Sequence, residues 1–326
     1  MTTYLDPHLQ SIALRLEDGD PGVRRVAVLE LVDNPEEEAV ELLIKALSDT
    51  NELVRMEAAK VIDEFEPRDM MDALVDALTA GDENVRNAAA NALADLKDPS
   101  AAPALLKALE KDDAFVITAI LRSLKQLRIA DARSKAIGFL LHASPGVRRE
   151  AVGVLGYLQD AQNLPQLISV GLNDAHAEVR RAAIGSLVFG SPAQVADALI
   201  SALHDEHWQV RVEASRGLGR LKVLDATQDL IKAVNDELWQ VSEAAANALG
   251  QLKAVDAIPA LGECFTNPIS NLRKAAAAAM GEIAHADGLI PLETAANDND
   301  PDVRKIARWA IGEIEKASAL AGSESL

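Results

Sequence analysis

The chain has 326 residues, of which 51 are acidic and 32 basic, and its formal net charge is −19. Apolar residues make up 49% of the chain and aromatic residues only 3%, a mixture typical of helices that pack through small side chains. A charge this negative argues against broad nucleic-acid binding, because that affinity comes from lysine and arginine meeting phosphates. The single cysteine, Cys264, excludes disulfide frameworks and cysteine-rich metal sites held by this chain alone.

The N-terminal sequence and the hydropathy of the chain predict a cytoplasmic protein. The first residues show no basic region followed by an apolar run, so we expect no secretory signal. No stretch approaches about 18 uninterrupted apolar residues, so we expect no membrane span.

A motif of the form V-R-x-x-A recurs along the chain. Its first residue, called position 0 below, occurs in ten units, and eight of the nine spacings are 31 residues. Small or apolar residues follow at positions 4 and 8. Because a helix turns once every 3.6 residues, positions 0, 4 and 8 lie on one face and predict a buried stripe. The residues at position 0 are Val23, Val54, Val85, Val116, Val147, Val179, Val210, Val241, Leu272 and Val303.

A second apolar pair lies eleven and seven residues before position 0, as Leu43 and Leu47 do. This spacing predicts another helix, and chain-breaking residues separate the two helices of most units. Each unit is therefore a hairpin of helix A and helix B, neither of which can bury its stripe alone. Stacking of ten hairpins predicts one solenoid over residues 1–317, followed by a polar tail over residues 318–326.

Units with this pattern resemble short HEAT repeats, of the type first named for phycobilisome bilin lyases. The resemblance rests on Ser144 to Gly156 (SPGVRREAVGVLG), Asp205 to Gly219 (DEHWQVRVEASRGLG) and Ala257 to Leu261 (AIPAL). It implies an all-α protein, a right-handed α-solenoid of about ten helical-hairpin repeats. It implies little about activity, because the same repeats serve lyases, metal enzymes and scaffolds.

Two recurring sets of aspartates are interpreted as architecture. In the HEAT family, an aspartate five residues before position 0 pairs across the inter-helix turns with the arginine at position 1. Aspartates three residues before position 0 are predicted to cap helix B by accepting hydrogen bonds from free backbone amides. The ladder candidates are Asp18, Asp49, Asp174, Asp205, Asp236 and Asp298, and the cap candidates are Asp20, Asp82, Asp113 and Asp300.

Positions 2 and 6 of helix B are expected to point into a groove, since helix B lines the concave side in this architecture. These twenty positions hold eight basic residues and one acidic residue. One interpretation is a locally basic groove suited to an acidic partner segment or a carboxylate-bearing ligand. The other is an ordinary solvated helix face. The eight basic residues are Arg25, Lys60, Arg122, Arg149, Arg181, Arg216, Lys274 and Lys305.

Four further residues complete the candidate set for partner binding. Glu57, Glu150 and Glu213 directly follow position 2 in three units, where they would temper the positive charge and orient the arginines. Trp309 occupies position 6 of the last unit. An exposed indole there indicates a partner contact, with packing as part of a terminal cap as the alternative.

No catalytic or metal motif is recognised in the sequence. One class of HEAT-repeat enzyme, the deoxyhypusine hydroxylases, carries His-Glu pairs directly after V-R to hold two irons. The matching places here read Met56-Glu57, Arg149-Glu150 and Val212-Glu213, so the histidine ligands are missing and we reject that activity. We expect no cofactor and no metal.

The sequence favours a non-enzymatic protein-interaction scaffold or accessory chaperone that binds an acidic segment of a protein partner in its groove. Nucleic-acid and membrane partners are not expected, and the charged first and last helices predict a monomer. The alternative is a bilin-lyase-like or other cofactor-attachment or maturation factor, in which the arginines would meet tetrapyrrole propionates. A third interpretation is a regulatory array that binds several partners weakly.

Overall fold

The computed structural model describes residues 6–33, 37–61, 65 and 67–323, and the regular structure within them is helical. Twenty α-helices in these ranges form ten successive A/B hairpins. The predicted α-solenoid is confirmed. Packing divides the chain into two compact units, Met1–Leu158 (unit 1) and Gln159–Leu326 (unit 2).

Unit 1 holds five hairpins, in which odd-numbered helices are helix A and even-numbered helices are helix B. The helices are α1 (Pro7–Arg15), α2 (Pro21–Glu30), α3 (Glu37–Leu47), α4 (Glu52–Val61), α5 (Pro67–Ala77), α6 (Glu83–Asp95), α7 (Ala102–Ala108), α8 (Ala114–Leu127), α9 (Ala132–Phe139) and α10 (Pro145–Leu158). Among the helices B, α2 packs on α4, α6 on α8, and α8 on α10. Side chains of these helices therefore form joint surfaces.

Unit 2 continues the same alternation of helix A and helix B. Its helices are α11 (Leu164–Asn173), α12 (Ala177–Ser186), α13 (Pro192–Ala202), α14 (Trp208–Arg220), α15 (Thr227–Ala233), α16 (Trp239–Leu252), α17 (Ile258–Glu263), α18 (Ser270–Ile283), α19 (Leu289–Ala295) and α20 (Pro301–Ser323). Each helix B from α12 to α20 packs on the next. The second unit thus has an unbroken row of helices B.

The predicted stripe on helix B forms the core. At position 4, the nine alanines and Ile120 are all fully buried. Position 8 adds large side chains such as Leu93 and Leu218, each with no exposed surface. Burial of one such leucine contributes about 1.5–3 kcal/mol. Ile62, which the pattern also assigns to this stripe, lies outside the described residues.

Aspartate side chains start four helices B as predicted. Asp20 accepts from the backbone N–H of Gly22 at 2.8 Å, and Asp82 accepts from that of Asn84 at 2.7 Å. The cap at Asp113 receives two backbone amides, at 2.8 and 3.0 Å. Asp300 likewise accepts from two amides, at 2.8 and 3.4 Å. These bonds satisfy amide groups that a helix leaves without intrahelical partners.

Glycine at position 9 lets the helices B of unit 2 approach closely. A Cβ added to Gly250 would lie 2.9 Å from the Cα of Ala279. That distance is shorter than any normal carbon–carbon contact. The same approach, at 2.7–3.0 Å, joins Gly219 to Ala248 and Gly281 to Ala310. Residues with a side chain are therefore excluded here by the neighbouring backbone.

The last helix is longer than predicted. We expected the solenoid to end near residue 317 and a polar tail to follow, but α20 continues to Ser323. Ala317, Ala319 and Leu320 are good helix formers, which explains the continuation. No helix in the described part of the chain is both long and apolar enough to cross a membrane.

Candidate functional site

Arginines at position 1 join successive hairpins through a ladder of ion pairs. Arg180 donates from Nε and Nη2 to the two carboxylate oxygens of Asp205, at 2.8 and 2.9 Å. Its Nη1 donates to the backbone carbonyl of Asp174 at 2.8 Å. The predicted pairing is confirmed for Arg24–Asp49, Arg180–Asp205, Arg211–Asp236 and Arg273–Asp298. These arginines are structural and are not available to a partner.

The ladder does not include every predicted residue. Asp18 accepts from the backbone N–H of Asp20 at 2.8 Å and its carbonyl accepts from Arg24, so it acts within its own turn. Each ladder arginine pairs with the aspartate 25 residues later, and we call each such ion pair a rung. The residue 25 positions after Arg86 is Lys111, and two cations cannot form an ion pair. The Arg86 guanidinium lies over the ring of Phe115 at 5.4 Å instead.

Glu57 joins two of the predicted partner-binding cations on α2 and α4. It accepts from Arg25 Nη2 at 2.8 Å and lies 3.7 Å from Lys60 Nζ. The hydrogen bond from Arg25 and the charge of Lys60 lower the pKa of the Glu57 carboxyl. The carboxylate therefore stays ionised and holds both cations on one surface.

Glu150 likewise forms ion pairs with two cations, one on α8 and one on α10. Its side chain is buried, with 5% of the residue exposed, and accepts from Lys125 at 2.9 Å and from Arg149 at 3.2 Å. Burial alone would raise the pKa of Glu150, but hydrogen bonds from both cations outweigh it and the pKa is lowered. Arg122, one turn before Lys125 on α8, shows no ion pair among the described residues. We call Arg122, Lys125, Arg149 and Glu150 the α8–α10 cluster.

The sequence analysis did not select Lys125 or Tyr157. Lys125 Nζ lies 5.8 Å from the centre of the Tyr157 ring, and its chain runs over Gly153, where an added Cβ would be 2.8 Å away. The two residues occupy positions 9 and 10. Positions 9 and 10 follow position 6 by three and four residues and share its helix face, so extending the pattern by one turn would have found both residues.

The candidates in unit 2 are paired more locally. Arg181 pairs with Glu178 at 2.9 Å, one turn earlier on the same helix. Arg216 lies 3.5 Å from Glu213 in the same arrangement. Lys274 is half-buried, and Lys305 is exposed. Val212, which the pattern places in the groove, is instead buried in a cluster with Val241 and Ala244 of α16, and Trp208 packs against that cluster.

A cavity of about 410 Å³ lies on the helices B of unit 2. It is lined by Arg216, Arg220, Glu243, Ala244, Asn247, Ala248, Gln251 and Glu282. Two cations and two carboxylates balance in this lining, so it offers no net charge to an acidic ligand. The α8–α10 cluster consists of three cations and one carboxylate, so it does offer net positive charge.

Trp309 both packs and remains half-exposed. Its indole covers Gly281 of the preceding helix B, where an added Cβ would lie 2.6 Å from Cζ3. The residue keeps 47% of its surface exposed. The packing alternative is therefore supported for one edge of the ring.

Metal-ligating and nucleophilic side chains lie apart from one another in the described part of the chain. Among the described residues, no three histidine, cysteine or carboxylate side chains are grouped so as to hold a metal ion. Burial raises the pKa of the Cys264 thiol to about 11, so it is a poor nucleophile at neutral pH. The His207 ring stacks on Trp208.

The architecture defines an α-solenoid of helical hairpins, and the sequence places it in a family. The chain belongs to the HEAT-repeat family, matching HEAT repeats over residues 9–79, 54–125 and 196–278, together more than half of its length. The match is to HEAT repeats as a group, so the lyase-like subtype stays a prediction. No match was found among curated protein sequences.

Solved structures show the same fold at low sequence identity. An engineered protein is 22% identical, covers 95% of this chain and 99% of its own, and has a TM-score of 0.51. A structure of Kap95p binding to RanGDP is 15% identical, with 95% and 51% coverage and a TM-score of 0.65. The karyopherin Kap121p, bound to the extreme C-terminus of the phosphatase Cdc14p, is 17% identical, with 94% and 41% coverage and a TM-score of 0.54. The chain spans about half or less of these karyopherins.

Proposed function

We propose that the chain is a non-enzymatic protein-interaction scaffold, and that its α8–α10 cluster binds an acidic segment of a partner protein. Membership of the HEAT-repeat family supports a protein-binding role. So does the fold shared with Kap121p, which was solved with the C-terminus of another protein bound.

The α8–α10 cluster carries the proposal. In a chain with a net charge of −19, Lys125 and Arg149 both pair with Glu150, and Arg122 lies one turn before Lys125 on α8. The cluster thus has three cations and one carboxylate, which leaves a local excess of positive charge. Glu150 is buried and fixes Lys125 and Arg149 in place, so part of the cost of ordering these side chains is met before a partner arrives. A partner carboxylate can then pair with Arg122 and with the exposed part of Arg149.

The exposure of these cations sets the expected strength. Arg149 keeps 43% of its side-chain surface exposed, so water and salt ions compete for it. Ion pairs of this kind contribute about 0.2–1 kcal/mol each and weaken as salt rises. A segment with several carboxylates is therefore needed, and its binding is salt-sensitive.

The test measures fluorescence anisotropy of a labelled polyglutamate peptide of about 12 residues at low salt (about 50 mM) and at about 300 mM. We expect binding by the wild type at low salt and at least about a tenfold loss in the Arg122→Glu/Arg149→Glu variant. The control, Lys107→Glu/Lys135→Glu, makes the same charge change on helices α7 and α9 of the same unit. Equal binding by all three proteins would refute the proposal.

A pull-down from the native host with the same three proteins identifies the partner. One stoichiometric protein that is retained by wild type and control, but lost by the Arg122→Glu/Arg149→Glu variant, is the expected result. Recovery of the same proteins by all three baits would show that the α8–α10 cluster is only solvated surface.

A further inference from the structure

Four large apolar side chains lie half-exposed on the helices B of the first two hairpins. They are Val26 (52% exposed), Leu29 (49%), Leu53 (53%) and Met56 (50%). We call them the α2–α4 apolar surface. Val26 and Leu29 are one turn apart on α2, and Leu53 and Met56 are one turn apart on α4, so each pair occupies one side of its helix.

An ion pair across the two helices places the two pairs side by side. Arg25 on α2 donates to Glu57 on α4 at 2.8 Å. Leu29 follows Arg25 by four residues and shares its face, whereas Leu53 precedes Glu57 by four residues and shares that face. Leu29 and Leu53 therefore flank the Arg25–Glu57 pair, and Val26 and Met56 lie next to its two members along the exposed sides of α2 and α4.

The repeat itself does not require apolar residues at these places. They correspond to positions −1, 2, 3 and 6, which in the rest of the chain hold mostly polar or small residues. In the first four hairpins of unit 2, position −1 is Glu178, Gln209, Gln240 and Asn271. In the first three of them, position 6 is Gly185, Arg216 and Asn247. Apolar side chains grouped on a surface where the fold does not need them mark an interaction site.

We infer that the α2–α4 apolar surface docks an amphipathic helix of a partner protein, one whose apolar stripe is flanked by acidic residues. Neighbouring helix axes lie about 8–10 Å apart. Apolar side chains at i and i+7 of a docked helix lie about 10.5 Å apart, so one stripe reaches both apolar pairs. This inference rests on the proposed function and names the kind of segment that the scaffold takes.

Charge selects an acidic partner. Lys60 and Arg25 border the surface with 67% and 41% of their side chains exposed, and they share the single carboxylate of Glu57. A second copy of this chain docked symmetrically would bring these cations against their own equivalents. An anionic membrane, the other surface that combines apolar and negative character, extends far beyond these two cations and would also meet the acidic remainder of the chain, whose net charge is −19. A short acidic helix meets only the local cations.

The experiment uses two labelled peptides of about 18 residues with the same content of leucine and glutamate. In the first peptide the leucines form one helical stripe, and in the second they are spread around the helix. Anisotropy is measured with the full chain, with Leu29→Gln/Met56→Gln, and with the control Leu224→Gln, which changes a leucine in unit 2 that is 65% exposed. Vesicles that contain anionic lipid provide a separate arm.

We expect the wild type and the control to bind the striped peptide about tenfold more tightly than its isomer, and Leu29→Gln/Met56→Gln to lose that preference. Equal binding of the two peptides, or a preference that survives in Leu29→Gln/Met56→Gln, would overturn the inference. Vesicle binding that the Leu29→Gln/Met56→Gln change removes, without any peptide preference, would replace it with a membrane role.

The experiments can refute the proposed function and the apolar docking site independently of each other. If polyglutamate binding depends on Arg122 and Arg149 while both leucine peptides bind equally, the proposed function stands and the apolar docking site does not. If polyglutamate does not bind but the striped peptide keeps its preference, the acidic-segment function fails and the apolar surface is an independent binding site.

Discussion

Arg180 and Asp205 form a two-point ion pair that joins two successive hairpins of unit 2. Both side chains are nearly buried, with 7% and 10% of their surface exposed, and their N–O distances are 2.8 and 2.9 Å. Asp205 also accepts from the backbone N–H of His207 at 2.8 Å. One aspartate thus fixes the turn before its own helix B and ties that turn to the preceding helix B.

We expect Asp205→Ala to lower the free energy of unfolding by about 2–3 kcal/mol, because Nε of the nearly buried Arg180 and the backbone amide of His207 lose their acceptor. The measurement is urea unfolding followed by circular dichroism. Asp225→Ala, at an exposed aspartate of the same unit, is the control and should change stability by less than about 0.5 kcal/mol. A loss of equal size in both variants would show that the ladder adds no stability.

Stability should fall in acid because ladder carboxylates must be protonated. Burial opposes ionisation of Asp205, but its hydrogen bonds from Arg180 and His207 prevail and lower its pKa from the ordinary value of 3.8. The hydrogen bond from Arg273 lowers that of Asp298 in the same way. A depressed folded pKa means that the stabilisation is present above pH 3.8 and is lost as the pH falls through the folded value.

The urea midpoint is therefore expected to decline below about pH 4, and the decline should be shallower in Asp205→Asn than in the wild type. Midpoints measured from neutral pH down to about pH 2.5 test this. Parallel curves for the two proteins would mean that other carboxylates account for the acid sensitivity.

Gly250→Ala should destabilise unit 2 even though alanine is the better helix former. The new Cβ would lie 2.9 Å from the Cα of Ala279 and 2.8 Å from a Glu282 carboxylate oxygen, and only the latter can move easily. We expect a loss of about 1–3 kcal/mol from the displaced helix. Gly312→Ala is the matched control, since no atom lies within 4 Å of its added Cβ, and it should gain up to about 1 kcal/mol. A gain in both variants would mean that the helices separate at little cost.

The resemblance to HEAT repeats predicted the ladder. The repeat period predicted the helices and the buried stripe, because both depend on residues at fixed spacing along the chain. It did not predict the α8–α10 cluster as a unit. Lys125 and Glu150 lie on two helices that are separated in sequence by α9, and their contact depends on the packing of α8 on α10. Val212 was misplaced for a related reason, because it packs with Val241 and Ala244 of the next helix B.

The repeat pattern also did not predict which side chains on helix B are exposed to solvent. Position 2 holds Arg25 and Met56 as well as Val212, yet Met56 is half-exposed and Val212 is buried. The difference comes from the neighbouring helix, which covers the same position in one hairpin and leaves it open in another. The α2–α4 apolar surface therefore emerged only from the structure.

One ion pair of the ladder is missing at Arg86, and restoring it would test whether residue spacing in the repeat is enough to form the pair. Arg86 lies 25 residues before Lys111, the same separation that joins Arg180 to Asp205, and its buried Nε has no hydrogen-bond partner. Lys111 pairs instead with Asp76 at 3.0 Å, with 39% and 80% of the two side chains exposed. Such a surface pair contributes about 0–1 kcal/mol.

Lys111→Asp should complete the rung. The new carboxylate would accept from Arg86 in two places and from the backbone N–H two residues later, as Asp205 does. We expect a net gain of about 1 kcal/mol in the free energy of unfolding, the balance of a charge-assisted pair gained and an exposed one lost. Lys107→Asp, an exposed lysine on α7 of the same hairpin, is the control and should be neutral or slightly destabilising. The prediction is wrong if Lys111→Asp is no more stable than the control. Arg86 would then stay over the Phe115 ring instead of pairing with the new carboxylate, and sequence spacing alone would not determine the ladder.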